Sequence, residues 1–197
     1  VKQYFDEVLD NPELRIHILN GFKNSSYEKS VEVKYGRRIG WYAIARIIKP
    51  KVIVETGVDH GVGACLLAHA LIQNELEGFS GRYFGTDINL DAGQLLSGEY
   101  SRVGKVLYGD SLKSLANFDE EIDLFINDSD HSCEYEYLEY KEIVYKLSPG
   151  AIIISDNAHA TDSLAKFSME ESRHFLFFRE EPKEHWYPGG SIGISFR

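Results

Sequence analysis

The sequence predicts an α/β fold: a doubly wound, mostly parallel sheet of seven strands, with a C-terminal antiparallel hairpin and extra N-terminal helices. Three observations predict it. From residue 51 onward, short apolar runs alternate with helical patterns, as in a parallel sheet covered on both faces. The tail breaks that alternation with two strand-like runs and no helix between them. Each of the first five strand candidates ends at acidic or acidic and glycine-rich residues, and open α/β sheets bind ligands at those carboxyl ends.

Residues 1–50 read as an N-terminal helical cap. "QYFDEVLD" and "PELRIHILNG" are short, with Pro12 near a start and Gly21 at a stop, and "GWYAIARIIKP" is apolar at helical spacing and closes on Pro50. Residues 51–197 form one compact unit. "KVIVE" is a strand and "GVGACLLAHALIQNEL" a helix; "RYFGTD" is a strand and "LDAGQLLSGEY" is read as helical. "KVLYGD" is followed by the short helix "SLKSLAN". "IDLFIND" leads into the helix "SCEYEYLEYKEIVYKLSPG", with a Pro-Gly stop, and "AIIISDN" is the fifth strand. "RHFLFFREEP" and "GGSIGISFR" pair as a hairpin around the turn "KEHWYPGG".

Composition excludes several classes. The chain has 197 residues, 43% of them hydrophobic, enough for one core and too apolar for a disordered tail. Its formal net charge is -10 with no basic patch, so a nucleic-acid backbone is not the expected partner. Two cysteines without a CxxC, Cys65 and Cys133, argue against a disulfide framework or zinc site, and a reducing cytoplasm is the expected compartment. No apolar run reaches a membrane span, and "VKQYFDEVLD" lacks the features of a signal peptide.

The loop after the first strand reads E-x-G-x-x-x-G-x-G from Glu55 to Gly63. Its glycines permit close backbone approach to a ligand, but it is not the GxGxxG that seats a pyrophosphate on a helix N-terminus. An acid there suits a ligand carrying an amine or cation. Asp87 ends the second strand, where a carboxylate can accept both hydroxyls of a ribose. Asp110 and Ser111 end the third. Asp128, Asp130 and His131 follow the fourth, and Asp156 and Asn157 the fifth. One aspartate at a strand end is ordinary, since Asp also caps helices. Five strand ends with acids on one rim are harder to attribute to caps.

Glu55 to Gly63, Asp87, "GDS" at 109–111, "NDSDHS" and "LSPGAIIISDN" together resemble a class I S-adenosylmethionine-dependent methyltransferase, with its Rossmann-like sheet and terminal hairpin. More narrowly, the chain is similar to small-molecule O-methyltransferases of the catechol and macrocin type. The resemblance implies that Glu55, Gly57 and Gly61 hold the methionine end of S-adenosyl-L-methionine, Asp87 the ribose, and Asp110 with Ser111 the adenine edge. Asp128 and His60 are also counted among the cofactor-binding candidates; His60 lies in the first loop and departs from the small or aromatic residue expected there.

Metal-dependent members of that group bind a divalent cation, most often Mg, at positions that match Asp128, Asp156 and Asn157 here. Their all-oxygen chemistry suits such an ion. The family's general base falls on His131, with His159 as the rival. The partner expected is a small hydroxylated acceptor, with no nucleic acid and no membrane; a homodimer is left open. Trp186 and Tyr187 are candidates for the acceptor wall, and Tyr35 for a cover over the cofactor. The tyrosines of the helix after the fourth strand are expected to pack on the sheet with their hydroxyls reaching water. The alternatives are a metal-independent methyltransferase, a nicotinamide-dependent oxidoreductase and a non-catalytic cofactor-binding protein.

Overall fold

In the computed structural model, which describes residues 1–24, 33–181 and 189–197, the chain forms seven strands and seven α-helices. The helices α1 (Lys2–Leu9), α2 (Pro12–Asn24) and α3 (Arg38–Ile48) come first. Then follow β1 (Val52–Thr56), α4 (Val62–Leu76), β2 (Arg82–Asp87), β3 (Gly104–Tyr108), α5 (Ser111–Ala116), β4 (Ile122–Asn127) and α6 (Cys133–Ile143). The chain ends with β5 (Leu147–Asp156), α7 (Ser163–Glu170), β6 (His174–Arg179) and β7 (Ser191–Phe196).

The sheet order is β3-β2-β1-β4-β5-β7-β6. Strands β1 to β5 are parallel, and β7 runs antiparallel between β5 and β6. The chain leaves β1 towards β3 on one side and returns to β4 on the other. The strand order therefore reverses between β1 and β4, where open sheets of this kind leave a crevice.

Alternation along each strand splits the core in two. Ile53, Leu124, Ile126 and Ile154 face α3 and α4, while Val52, Val54, Phe125 and Ile153 face α5, α6 and α7. The N-terminal helices share the first of these clusters through Val8, Leu14, Ile18, Trp41 and Tyr42. Arg46, almost fully buried, pins them. Its guanidinium donates to Glu7 Oε1 on α1 at 2.8 Å, to Glu77 Oε1 just past α4 at 2.5 Å, and to Asn74 on α4.

Three segments differ from the sequence reading. Residues 90–100, read as helical, form turns with only a 3-10 turn at Tyr100–Arg102. Gly93 and Gly98 take positive φ there, and the Gly93 N–H bonds Asp59 O at 2.7 Å, tying this segment to the loop after β1. The helix after β4 stops at Ile143, and Leu147-Ser148-Pro149-Gly150 already belongs to β5. Pro149 has no N–H for the ladder, and the β4–β5 register shifts at this point. Helix α7 was not assigned from sequence; it is only eight residues long and is held by burying Leu164 and Phe167.

Among the described residues, no helix is long and apolar enough to cross a membrane. Replacing Arg46 by Ala should destabilise the fold by about 2–4 kcal/mol, because the buried Asn74 Oδ1 and the Glu7 carboxylate would lose its guanidinium donors. Urea unfolding checks this: the midpoint should fall with an unchanged slope.

Candidate active site

A cleft of about 670 Å³ opens over the carboxyl ends of β1 to β4. Gly57, Asp59, Thr86, Asp87, Asp110, Ser111, Asp128 and Tyr135 line it, and Arg38 closes it from the start of α3. The loop after β1 forms its floor. Gly57 has φ +83°, and a Cβ there would run into the backbone of Asp128, so only glycine lets the β1 and β4 loops approach this closely. Asp59 also has positive φ, 49°. Gly61, at φ +96°, opens helix α4.

Asp87 holds that loop in place. Its Oδ2 accepts the N–H of Val58 at 3.1 Å and of Asp59 at 2.9 Å, and its Oδ1 accepts the N–H of Asn89 at 2.8 Å. Lone pairs on Oδ1 remain for a ligand hydroxyl. Asp110 caps α5 through the Lys113 N–H at 3.0 Å. Asp130 accepts the Ser132 N–H at 2.7 Å. The Thr86 hydroxyl is buried against the cleft and has no partner among the described residues.

Glu55 sits behind the cleft. Strand alternation turns it to the same face as Ile53, where it accepts the Tyr83 hydroxyl at 2.6 Å and lies against Gly63. Burial pushes its carboxyl up to about 7. His60 also lies off the described lining; its ring meets the edge of Phe22, and its Nε2 is 3.7 Å from Asp59 Oδ1. Tyr35 is packed in the core, and Arg38 is the residue of its segment that reaches the cleft. Trp186 and Tyr187 lie outside the described residues.

The ends of β4 and β5 carry the second cluster. Asp128 pairs with Arg38 at 3.5 Å and lies 3.7 Å from His131 Nε2. Burial, then the nearby Asp156, pushes Asp128 upward. Asp156 is nearly buried, and Arg37 grips both its oxygens, Nε to Oδ1 at 3.0 Å and Nη2 to Oδ2 at 2.5 Å. The same Nη2 donates to Asn157 Oδ1 at 3.0 Å, and Nη1 reaches Glu180 at 3.3 Å. Asn157, at φ 57°, has its Nδ2 3.0 Å from His131 Nε2. The oxygens assigned from sequence to a divalent cation are thus engaged by two arginines. Among the described residues, no group of three or more His, Cys, Asp or Glu side chains is placed to hold a metal ion.

These bonds set the state of His131. Arg37 can only donate, so Asn157 must present its carbonyl to Arg37 and its N–H to the imidazole. The Nε2 of His131 is then an acceptor carrying a lone pair. His159 is exposed on the turn after β5, with Nδ1 3.0 Å from Ser191 Oγ, and is not part of the cleft lining.

Arg37, Arg38, Thr86 and Glu139 escaped the sequence reading. Glu139 of α6 is fully buried beneath the cleft and accepts from Thr56 Oγ at 3.0 Å, from Ser129 Oγ at 2.9 Å, and from Ser111 and Asn127. It joins the ends of β1 and β4 to the start of α5. The signal was present: Glu136, Glu139, Tyr140 and Ile143 recur at i, i+3, i+4 and i+7, one inward stripe that includes two acids. The tyrosines divide accordingly. Tyr140 is buried with its hydroxyl on Glu136, Tyr145 is exposed, and Tyr135 lines the cleft with its hydroxyl 2.8 Å from Ser111 Oγ.

Residues 54–158 match the profile of a family described as a methyltransferase domain. No curated protein sequence matches the chain. Among solved structures, it is similar to the O-methyltransferase TomG from Streptomyces achromogenes, involved in tomaymycin synthesis and in complex with SAM (TM-score 0.71, 15% identity, covering 98% of this chain and 93% of that one). An O-methyltransferase from Bacillus cereus in complex with SAH aligns with a TM-score of 0.66 at 15% identity, over 99% and 96% of the two chains. A methyltransferase from Geobacter sulfurreducens aligns with 0.69 at 18%, over 100% and 98%. At these identities the likeness establishes the fold.

Burial also pushes Glu139 from 4.5 up to about 7. An acid raised on folding takes up a proton as the chain folds. Its contribution to stability is largest below the unfolded value and is lost as pH rises through the folded one. Between pH 5 and pH 8, Glu139→Gln should therefore gain about 2–3 kcal/mol on the natural chain. Urea unfolding of both proteins at the two pH values tests this, and a pH-independent gap refutes it.

Proposed function

This chain belongs to the methyltransferase domain family, and on that premise we propose that it transfers a methyl group from S-adenosylmethionine to a hydroxyl oxygen of a small molecule. The charge of the cleft carries the reading. Among its described lining residues are five aspartates (Asp59, Asp87, Asp110, Asp128 and Asp130) and a single arginine, Arg38. Such a surface repels a pyrophosphate and attracts a ligand bearing a sulfonium and an ammonium group. This weighs against a nicotinamide cofactor.

S-adenosylmethionine, when bound, supplies a methyl group on a positively charged sulfur. The chain's residues do the rest. The Gly57–Gly61 backbone forms the floor, Asp87 takes ribose hydroxyls, and Asp110 with Ser111 borders the base. Their fixed placement supplies alignment with the acceptor. His131 receives the proton that the acceptor hydroxyl releases once the substrate hydroxyl displaces the Asn157 N–H from its Nε2 lone pair. A divalent cation does not fit the donor set as arranged, because Arg37 and Arg38 engage the oxygens of Asp128, Asp156 and Asn157. No step is assigned to one. Two free cysteines support a reducing compartment such as the cytoplasm.

The test is thermal unfolding with S-adenosylhomocysteine or NAD. At about a hundredfold excess over its dissociation constant, S-adenosylhomocysteine should raise the midpoint by roughly 5–10 °C, and NAD should leave it unchanged. Asp87→Ala should weaken S-adenosylhomocysteine binding about 10- to 100-fold by calorimetry. Stabilisation by NAD alone would overturn the reading. Binding of S-adenosylhomocysteine without methyl transfer to any of a panel of catechol, sugar and polyketide hydroxyls would favour a non-catalytic protein.

A further inference from the structure

The carboxylates at the ends of β4 and β5 are matched by cations from their own chain. Arg37 pairs with Asp156 and Glu180, and Arg38 pairs with Asp128. Two guanidiniums bring the positive charge that a divalent ion would bring. Arg37 also meets two of the three residues that such an ion would need, Asp156 and Asn157. A planar guanidinium offers five donors in a fixed fork. Four of the contacts it makes run to Asp156 Oδ1, Asp156 Oδ2, Asn157 Oδ1 and Glu180 Oε2. A cation bound between Asp128, Asp156 and Asn157 would need the same oxygens, and it could take them only by breaking charge-assisted bonds to a nearly buried carboxylate.

We infer that Arg37, assisted by Arg38, takes the divalent cation's place in this chain, so that the acceptor site works with a built-in guanidinium pair. The inference deepens the methyl-transfer reading and rests on it for its meaning. Arg37 is a positioning residue. It grips the end of β5 and orients the Asn157 amide, which in turn fixes His131 with Nε2 as its acceptor nitrogen. It also links this cluster to Glu180 beyond β6, whose carboxylate accepts the Gly190 N–H at 3.1 Å just before β7.

Titration with Mn²⁺ followed by electron paramagnetic resonance tests this directly on the natural chain, Arg37→Ala, Arg37→Gln and the double variant Arg37→Ala/Asp156→Asn. The natural chain should take up no Mn²⁺ at millimolar concentration. Arg37→Ala should acquire one site, with affinity about tenfold or more above the natural chain, and the double variant should lose it. Arg37→Gln, which keeps a donor for Asp156, should acquire a weaker site and serves if truncation to Ala unfolds the protein. Stoichiometric Mn²⁺ binding by the natural chain, abolished by Asp156→Asn, would overturn the inference. So would failure of both Arg37 variants to gain a site while they remain folded by circular dichroism. Mn²⁺ binding is read without any methyl donor, so it decides the role of Arg37 whether or not S-adenosylhomocysteine binds. Loss of S-adenosylhomocysteine binding in the natural chain would count only against the functional reading.

Discussion

A carboxylate removed from water has to be met by donors or carry a proton, and this requirement organises the C-terminal rim of the sheet. Each acid there is answered by a different part of the chain. Asp87 is met by backbone N–H groups of the loop after β1, Glu139 by hydroxyls from β1, α5 and the β4 loop, and Asp156 by the guanidinium of Arg37. Satisfying the acids joins the loops. The cleft is held in shape by the same bonds that make its charges tolerable.

The two faces of the sheet divide the work. On the α3–α4 side, apolar packing dominates, and the buried Arg46 and Glu55 are small polar islands within it. On the α6 side, the polar network rises from Glu136 and Glu139 to the floor of the cleft. A buried network of this kind works only when complete, since each unmade bond costs more than a made one contributes. This explains why so many of the donors are short side chains: Ser111, Ser129, Thr56, Ser155 and Thr161 reach a carboxylate with little rotamer entropy to lose.

Much of this was legible without coordinates. The alternation of runs from residue 51 reports the parallel sheet because burial on both faces demands continuous apolar strands. The glycines at 57 and 61 and the acid at 87 report a ligand-binding rim because few other reasons place them at successive strand ends. Errors fell where local pattern is a weak guide. "LDAGQLLSGEY" carries helical spacing, but Gly93 and Gly98 take left-handed backbone and the segment folds as turns against the β1 loop. The run ending in Pro-Gly after α6 looked like a helix stop and is the first turn of strand β5 into the sheet. Helix α7 is no shorter than α1 or α5, but it is held by burying Leu164 and Phe167.

The sequence by itself determined the sheet, the hairpin and the set of acids at the strand ends, because these follow from residue periodicity and from the position of each residue along one strand. Only the tertiary structure decided what those acids do. Glu55 turns behind the cleft because its strand face does. Glu139 enters the site from a helix whose inward stripe marks it as buried but does not say which strand ends it reaches. Arg37, 119 residues from Asp156 along the chain, occupies the oxygens that spacing alone would assign to a metal. Charge pairing acts through space over a few ångströms, and no pattern along the chain specifies which distant cation arrives within that range.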